Sequence, residues 1–401
     1  MRGLFLCGVF SDEHEPEIVA MSKRTIEYSA NVFQKKLIDG FQRNSFALEV
    51  LSAPFIGSYP NVSTMAQFKG FAIKADEYHY VNFNNMWGIR NISRAQALKK
   101  AVFPFVNSRE DGKIIFVYSP HTPFLEAAVY AKRLDSTIKI CLILPDLPQY
   151  MNLNAKVSAI YKLGKKYDIR KFEKLNQYVD SYMLLTEAMK DVVDVHGKPY
   201  MVVEGVVDAA ELPESKDKEL SKTAEEKYIV YTGKLNTKFG VKHLVDAFME
   251  LENESYRLIL CGKGDAETYV REKSQEDGRI LYQGQVTPQV AKQWVKRADV
   301  LVNPRKNDEE YTKYSFPSKN IEYLLSGHPV VGYMLDGIPK VYENFMYMVQ
   351  GDSDTDFAQA IECAMQSSVE EQKARYEGAR QYFETLTSEA VARQLLHINK
   401  D

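Results

Sequence analysis

Short apolar runs alternate with amphipathic helical patterns along most of the 401-residue chain. This alternation is typical of βαβ units, in which parallel strands are joined by helices that cover the sheet. The predicted strands of the first half are 4–10, 47–52, 78–81, 113–118, 138–144, 182–185 and 199–203. The predicted helices between them are 29–41, 94–108, 124–134, 169–178 and 187–195. The pattern therefore predicts an α/β fold with parallel sheets.

The second half repeats the alternation after a charged segment at 205–222, which is the predicted hinge. Its predicted strands are 227–231, 257–261, 280–282, 300–302, 329–332 and 347–349. Its predicted helices are 241–250, 267–277, 287–298, 318–326 and 354–365, and two more follow at 369–386 and 388–398. Two doubly wound lobes would bind a ligand at the carboxyl ends of their strands, so the loops after strands are the places to look for chemistry.

Composition excludes several classes of protein. The chain is 45% hydrophobic and 26% charged, with a net charge of −3, which does not favour a nucleic-acid partner. Its cysteines (Cys7, Cys141, Cys261 and Cys363) are far apart in the sequence, so we expect reduced residues in a cytoplasmic protein. The apolar N-terminal run is short and precedes an acidic stretch, so we interpret it as a core strand rather than a signal peptide. No apolar window is long enough to span a bilayer.

The segment 315–331, SFPSKNIEYLLSGHPVV, predicts a helix that begins after a Ser-Phe-Pro turn. Phe316, Pro317 and Ser318 lead into free backbone N–H groups, which suit a phosphate. Glu322 lies one turn further, beside apolar residues, where an unpaired carboxylate is costly. The hydroxyl pair of a ribose would serve as its partner. A surface glutamate on an ordinary amphipathic helix is the alternative.

Two lysines follow the first strand of the second half. Gly233 permits close backbone approach to a ligand, and Lys234 and Lys238 come directly after it. Two amines at a strand end suit a diphosphate leaving group. The next strand ends in a turn with Gly262 and Gly264, which alone is only a weak dinucleotide signal because a complete G-x-G-x-x-G is absent.

In the first half, two strand-end loops carry titratable groups. His121 follows the strand 113–118, and Asp146 follows the strand 138–144. Asp146 is placed to orient or deprotonate an acceptor hydroxyl. For each residue a structural role is the alternative: a hydrogen-bonded loop histidine for His121, and a turn-forming aspartate for Asp146.

The stretch 156–174 interleaves basic and apolar residues on an otherwise slightly acidic chain. Its basic residues are Lys156, Lys162, Lys165, Lys166, Arg170, Lys171 and Lys174. This bias indicates a surface that contacts anionic lipid at the inner face of the plasma membrane. A solvated helix face is the alternative.

The segment FPSKNIEYLLSGHPVVGY resembles the nucleotide-sugar-binding segment of retaining glycosyltransferases of family four, glycosyltransferase group 1, of the bacterial polysaccharide and glycoconjugate type. HTPFLEAAVYA and YIVYTGKLNTKFGVKHLVDAF are similar to further segments of that family. The resemblance implies the GT-B fold, in which two Rossmann-like lobes face a cleft and the C-terminal helix crosses back to the first lobe. It implies an acceptor-binding domain at 1–207, a nucleotide-sugar-binding domain at 208–385 and a terminal helix at 386–401 that packs on the first domain.

The resemblance also implies roles for single residues. Lys234 and Lys238 would bind the diphosphate, Glu322 the ribose hydroxyls, and His121 would lie beside the transferred sugar. The other residues of the implied donor pocket are Gly233, Gly264, Tyr282, Gly284, Phe316, Pro317 and Ser318. Tyr314 stands where the family has the first glutamate of its E-x₇-E motif, although Glu309 and Glu310 lie just upstream.

The sequence as a whole thus predicts a metal-independent, retaining glycosyltransferase without a cofactor. Its donor would be a nucleoside-diphosphate sugar such as a UDP-sugar. Its acceptor would be a glycan or lipid-linked molecule in capsule, polysaccharide or glycoconjugate biosynthesis. No Asp-x-Asp or His/Cys cluster with metal-ligand spacing is present. Two alternatives remain: a non-catalytic nucleotide-sugar-binding partner of another transferase, and a GT-B-type nucleotide-sugar epimerase.

Overall fold

The computed structural model describes residues 1–23, 26, 28–71, 78–110, 112–147, 159–195, 197–212 and 226–400, with the backbone alone for 159–162. Most of the predicted hinge and the first residues of the basic stretch lie outside these residues. The chain divides into a first unit, residues 1–208 and 386–401, and a second unit, residues 209–385. The predicted α/β fold is confirmed in both units.

The strands are short and mostly apolar. In chain order they are β1 (Arg2–Cys7), β2 (Leu48–Ser52), β3 (Gln67–Phe68), β4 (His79–Tyr80), β5 (Phe83–Asn84), β6 (Lys113–Tyr118), β7 (Lys139–Leu144), β8 (Ser181–Leu184), β9 (Tyr200–Val202), β10 (Lys227–Thr232), β11 (Tyr256–Cys261), β12 (Ile280–Gly284), β13 (Val300–Asn303), β14 (Val330–Gly332) and β15 (Tyr347–Met348).

The helices connect the strands. They are α1 (Glu15–Met21), α2 (Tyr28–Arg43), α3 (Arg90–Ala101), α4 (Phe103–Val106), α5 (Thr122–Leu134), α6 (Ala159–Asn176), α7 (Met189–Val193), α8 (Val241–Met249), α9 (Glu267–Glu276), α10 (Pro288–Arg297), α11 (Lys319–Leu325), α12 (Asp354–Gln366), α13 (Val369–Glu384) and α14 (Ser388–His397). Short 3₁₀ helices, including Thr237–Phe239 and Glu310–Tyr314, occur in the loops.

The sheet of the first unit is parallel, in the order β4-β2-β1-β6-β7-β8-β9. All six residues of β6 are buried, as expected for a strand covered by helices on both faces. The chain runs outward from β1 to one side and then from β6 to the other. The carboxyl ends of β1 and β6 therefore form the switch point, where ligands bind in folds of this kind.

The sheet of the second unit is also parallel, in the order β12-β11-β10-β13-β14-β15. Here the chain leaves β10 toward β11 and β12, and then returns to the other side of β10 with β13. The second switch point therefore lies at the carboxyl ends of β10 and β13. The loops that follow these two strands begin at Gly233 and Pro304.

Helix α14 belongs to the first unit and packs against α2. The Ser388 hydroxyl donates to Asp39 Oδ2 at 3.0 Å, and Asn44 Nδ2 donates to the Glu389 carbonyl at 2.8 Å. A Cβ atom on Gly40 would lie 2.0 Å from the Ser388 carbonyl oxygen, so the close approach of these helices requires glycine.

Several parts of the first unit differ from the sequence prediction, including helices α1 and α4, which were not predicted as separate elements. Helix α3 begins at Arg90 rather than 94, so Arg94 lies inside the helix and is buried. Helix α6 begins at Ala159 rather than 169, because the lysine-rich start of this segment masks its helical period. The antiparallel pair of β3 and β5 was not predicted, since two-residue strands leave no alternating pattern. As expected, Cys7, Cys141 and Cys261 are buried and unpaired.

Candidate functional site

The loop after β10 is held in place by the loop after β11. Gly262 has φ of 143°, and a Cβ atom there would lie 1.7 Å from the Gly233 carbonyl oxygen. A Cβ atom on Gly264 would lie 2.2 Å from the Leu235 carbonyl oxygen. The two loops can therefore touch only because both positions are glycine. The Thr237 backbone N–H and hydroxyl donate to Asp265 Oδ1 at 2.6 and 3.0 Å, which fixes the loop further.

Two cations share two aromatic rings at this switch point. Lys238 Nζ lies 5.3 Å from the centre of the Phe239 ring and 6.0 Å from that of Tyr311. The Arg305 guanidinium lies 5.7 and 4.7 Å from the same two rings. Lys234 is exposed on the same loop as Lys238. The switch point of the second unit is therefore a cationic surface, to which β10 and β13 both contribute.

Arg305 follows β13 and was not among the residues predicted from the sequence. Its Nη2 donates to the Ser315 hydroxyl at 2.7 Å, and its buried Nε has no hydrogen-bond partner in the structure. Burial lowers the pKa of Arg305, with the nearby Tyr311 and Tyr231 acting in the opposite direction. The sequence signal was available, because Arg305 comes two residues after a buried strand.

A pocket of about 250 Å³ adjoins this cluster within the second unit. Its lining residues are Thr237, Lys238, Gly240, Lys242, His243, Lys306, Asp308 and Glu309. Glu309 thus lies in one pocket with Lys238. His243 is held there through hydrogen bonds to Asp354 and to the Tyr333 hydroxyl. The pocket combines amines with two carboxylates and an imidazole.

Tyr323 anchors helix α11 to the end of strand β10. The buried Tyr323 hydroxyl accepts from the Thr232 N–H at 2.9 Å, at the end of β10. Phe316 is buried against Tyr342, with ring centres 5.3 Å apart, while Ser318 is exposed. The Ser-Phe-Pro turn therefore has an apolar anchor and presents the start of the helix to solvent.

Glu322 departs from the expectation of a desolvated carboxylate. Its side chain is 38% exposed, and its Oε2 accepts from Lys319 Nζ at 2.7 Å. The partner thus comes from the preceding turn of the same helix. An amphipathic surface position explains this contact without a ligand.

The remaining predicted donor residues are placed as follows. The Tyr282 hydroxyl donates to the Gly262 carbonyl at 3.1 Å, and Arg271 lies 4.7 Å over its ring. Gly284 has φ of 70°, and no atom lies within 4 Å of where its Cβ would be. Its carbonyl accepts from the Gly262 N–H at 2.8 Å. Tyr314 is the last residue of the 3₁₀ helix Glu310–Tyr314.

In the first unit, His121 lies between β6 and α5 and is contacted by a buried arginine. Arg94 Nη1 lies 3.3 Å from His121 Nε2, and the rings of Phe55 and Phe124 lie 5.9 and 5.2 Å from the imidazole. A guanidinium can only donate, so Nε2 accepts and the proton of the neutral ring resides on Nδ1. Burial, then Arg94 and Arg90, lower the pKa of His121 well below its usual range. His121 is therefore a neutral hydrogen-bond donor through Nδ1.

Asp146 follows β7, the strand next to β6, and is exposed. Burial raises the pKa of the Tyr118 hydroxyl, and the negative charge of Asp146 contributes in the same direction. The structure therefore places His121 and Asp146 after neighbouring strands of the first unit. The lysines and the predicted donor residues lie in the second unit.

Part of the basic stretch is visible in α6. Leu163 and Tyr167 are 68% and 66% exposed, whereas Lys171 Nζ pairs with Glu126 Oε2 at 2.6 Å. One face of α6 thus presents apolar side chains to solvent beside the exposed Lys166. Among the described residues, no helix is long and apolar enough to cross a membrane. No grouping of three His, Cys, Asp or Glu side chains suited to a metal ion occurs in the same residues.

Sequence comparison with known proteins finds a family match, which lies within the second unit. Residues 226–367 match the family described as Glycosyl transferases group 1. No curated protein sequence matches the chain significantly.

Solved structures are similar over nearly the whole chain. A glycosyltransferase from Rickettsia africae matches with a TM-score of 0.66 at 11% identity, covering 100% of this chain and 98% of its own. Sucrose-phosphate synthase from Thermosynechococcus elongatus matches with a TM-score of 0.62 at 14% identity, covering 99% and 98%. HepE from Anabaena in complex with UDP matches with a TM-score of 0.62 at 13% identity, covering 99% of both chains.

The fold is that of GT-B glycosyltransferases, and the match to the glycosyl transferases group 1 family lies within the second unit. Together these findings support a GT-B glycosyltransferase.

Proposed function

We propose that this protein is a retaining glycosyltransferase of family four that transfers a sugar from a nucleoside-diphosphate donor without a metal ion. The observation that carries the proposal is the cationic cluster of Lys238 and Arg305 at the switch point of the second unit. It lies inside the segment that matches the glycosyl transferases group 1 family. Charge on the leaving diphosphate is met there by fixed side chains, which is the kind of electrostatic stabilisation that lowers transition-state energies most.

The cluster is suited to a diphosphate in three ways. Arg305 presents planar N–H donors, Lys238 presents a half-buried amine, and Lys234 presents an exposed amine on the same loop. The rings of Phe239 and Tyr311 hold both cations in place through cation–π contacts. Arg305 has a buried Nε without a partner, so an anion that reaches it would gain a charge-assisted hydrogen bond.

Glu322 is proposed to hold the ribose by exchanging partners. Its carboxylate pairs with Lys319 on the exposed start of α11. Ribose hydroxyls would donate to this carboxylate while Lys319 turns toward phosphate. The remaining donor contacts are proposed for Gly233, Gly264, Tyr282, Gly284 and the Phe316–Ser318 turn.

The transfer step conserves the configuration at the anomeric carbon. The bond from that carbon to the diphosphate oxygen breaks, and a bond to the acceptor oxygen forms on the same face. The acceptor proton passes to the leaving phosphate. The neutral His121 is proposed to donate from Nδ1 to the transferred sugar, and Asp146 to orient the acceptor hydroxyl.

The donor is proposed to be a UDP-sugar. HepE from Anabaena has been solved with UDP and with UDP-glucose, and its fold is similar to this chain with TM-scores of 0.62 and 0.59. A galactosyltransferase of the lipopolysaccharide outer core, WaaB, is similar with a TM-score of 0.63. These relatives support a glycan or lipid-linked acceptor in cell-surface polysaccharide or glycoconjugate biosynthesis.

The exposed face of α6 is proposed to touch an anionic membrane from the cytoplasmic side. Leu163 and Tyr167 supply apolar contact, and Lys165 and Lys166 supply charge. Sedimentation with phosphatidylglycerol vesicles tests this, because Lys165→Gln with Lys166→Gln should reduce the bound fraction. Equal binding by both proteins would leave α6 as a solvated face.

The experiment that tests the donor site is a calorimetric titration with UDP. Lys238→Gln should weaken binding about tenfold or more, because a charge-assisted contact to phosphate is lost. Lys292→Gln is the matched control, since Lys292 is an exposed lysine of α10 outside the cluster. Equal UDP affinity for Lys238→Gln and the wild type would refute the site.

A non-catalytic nucleotide-sugar-binding partner is the second candidate, and Tyr314 in place of a glutamate favours it. A donor turnover assay distinguishes these functions. Slow release of UDP from a UDP-sugar would indicate a transferase. Binding without turnover would indicate a non-catalytic partner, and conversion of the sugar would indicate an epimerase. If the protein is a transferase, Glu309, which lines the pocket with Lys238, is the carboxylate proposed to act in place of the missing one.

A further inference from the structure

Two arginines of α3 lie one helical turn apart without an acidic partner among the residues that the structure describes. Arg94 is 1% exposed; its Nη2 donates to the Pro54 carbonyl at 2.6 Å, and its guanidinium lies 4.3 Å over the Phe83 ring. Arg90 is half-buried, and its Nη1 donates to the Ile56 carbonyl at 3.1 Å. No carboxylate of the described residues pairs with either arginine.

This arrangement is electrostatically unfavourable by itself. Buried arginines are nearly always paired with a carboxylate, because an uncompensated charge in a protein interior is costly. Burial and the neighbouring Arg90 both lower the pKa of Arg94. Arg90 is also the first residue of α3, where the helix dipole disfavours a cation. Arg94 Nε has no hydrogen-bond partner.

His121 adds a donor to the same place. Its Nε2 is occupied by Arg94, so its Nδ1–H is the free donor of a neutral ring. The residue is partly exposed and immediately precedes Thr122, the first residue of the thirteen-residue helix α5. The N-terminus of α5 therefore contributes a further positive potential. Asp168 hydrogen-bonds to the Thr122 side chain at the start of α5, but no carboxylate of the described residues pairs with the two arginines, so their charge is not balanced there.

We propose that Arg90 and Arg94 form, beside His121, a binding site for an anion, the phosphate or carboxylate group of the sugar acceptor. Arg90 would contact the anion directly, next to the sugar to which the His121 Nδ1–H donates. Arg94 would lie beneath both side chains as a positioning residue that fixes the imidazole and supplies buried charge. The assignment to the acceptor rests on the proposed glycosyltransferase function, whereas anion binding itself does not.

The melting temperature of Arg90→Gln distinguishes an anion-binding role of Arg90 from a structural role. If Arg90 served only to brace the Ile56 carbonyl, Arg90→Gln would lower the melting temperature. If it belongs to an anion site, removing one of two like charges relieves repulsion with Arg94. The melting temperature of Arg90→Gln should then equal or exceed that of the wild type in phosphate-free buffer.

The binding test uses the full chain with saturating UDP, so that the cations of the second unit are occupied. Glucose 6-phosphate, glucuronate and glucose are titrated in turn by calorimetry; they share a sugar ring and differ in the anion. Glucose 6-phosphate or glucuronate should bind at least about tenfold more tightly than glucose. The tighter of the two identifies phosphate or carboxylate as the acceptor group.

Arg90→Gln should lose that preference for the anion, and Lys100→Gln should keep it. Lys100 is the matched control, an exposed lysine of the same helix. Equal binding of glucose and both anions by the wild type would overturn the proposal, as would an unchanged anion preference in Arg90→Gln. If the donor assignment is wrong, UDP will not bind to the wild type, whereas Arg90→Gln will still remove the anion preference. The two failures can therefore be distinguished.

Discussion

At the scale of single residues, what a side chain does in this protein depends on its neighbours more than on its type. The sequence placed His121 after a strand of the first half, and the structure places it there. Its tautomer comes from Arg94, which lies 27 residues away in the chain, and its pKa is lowered first by burial and then by Arg94 and Arg90. Arg94 and Arg305 were not predicted because a charged residue in a sequence is expected to lie at the surface. Whether it is buried depends on tertiary contacts that the sequence does not show.

His121→Ala should therefore damage transfer more than donor binding. We expect kcat to fall about 10²-fold or more, because a hydrogen bond made beside the reacting carbon is lost. UDP affinity should change little, since the proposed donor contacts lie in the second unit. His121→Asn should retain more activity than alanine, because the asparagine amide N–H can occupy the place of Nδ1. Steady-state kinetics and UDP calorimetry on the three proteins measure both effects. Transfer by His121→Ala within a few-fold of the wild type would assign the residue a structural role.

The same environment gives His121 a pH signature. Its pKa in the folded protein is lowered, so the unfolded chain takes up the proton first as the pH falls through about 6.5. The stability contributed by the neutral ring is therefore present above that pH and decreases below it. Between about pH 7.5 and 5.5 the melting temperature of His121→Asn should vary less than that of the wild type.

At the scale of elements, the periodicity of the sequence was sufficient for the long strands and helices. Strand β6 was predicted with its observed bounds, because a short run that is apolar after its first residue and lies between turns has few other interpretations. Helix α6 was predicted to begin ten residues too late, since lysines and Gly164 dilute the apolar stripe. The contact of two loops across Gly262 has no sequence signal beyond the glycine itself.

Gly262→Ala should destabilise the second unit. Gly262 has φ of 143°, and a Cβ atom added there would lie 1.7 Å from the Gly233 carbonyl oxygen. The loop after β10 would therefore have to move. We expect a loss of about 2 kcal/mol or more in the free energy of unfolding, together with weaker UDP binding. Gly278→Ala is the control, because no atom lies within 4 Å of its added Cβ. Urea unfolding of the two variants gives the comparison. Equal stability would show that the loop contact is not tight in solution.

At the scale of the whole molecule, alternating patterns predicted the fold class well, because parallel sheets with covering helices leave a strong periodic signal. The candidate site was predicted less completely. The strand-end lysines and glycines were visible in the sequence, but their partners Arg305 and Tyr311 come from the loop after β13 and meet Lys238 only in the folded sheet. Sheet order, which sets the switch points, cannot be read from periodicity alone.

The proposed binding of phosphate by side chains of the second unit predicts how sugar transfer depends on divalent ions. With Lys234, Lys238 and Arg305 at one switch point, fixed cations replace the role that a divalent ion would have, so transfer should be unchanged by EDTA. Arg305→Gln should lower kcat about 10²-fold, and added Mg²⁺ should restore part of that loss by screening the same charge. Sugar transfer is measured for both proteins with EDTA and with Mg²⁺, and Lys292→Gln serves as the control. Complete loss of wild-type activity in EDTA, reversed by Mg²⁺ or Mn²⁺, would contradict the proposal that these side chains alone stabilise the leaving diphosphate.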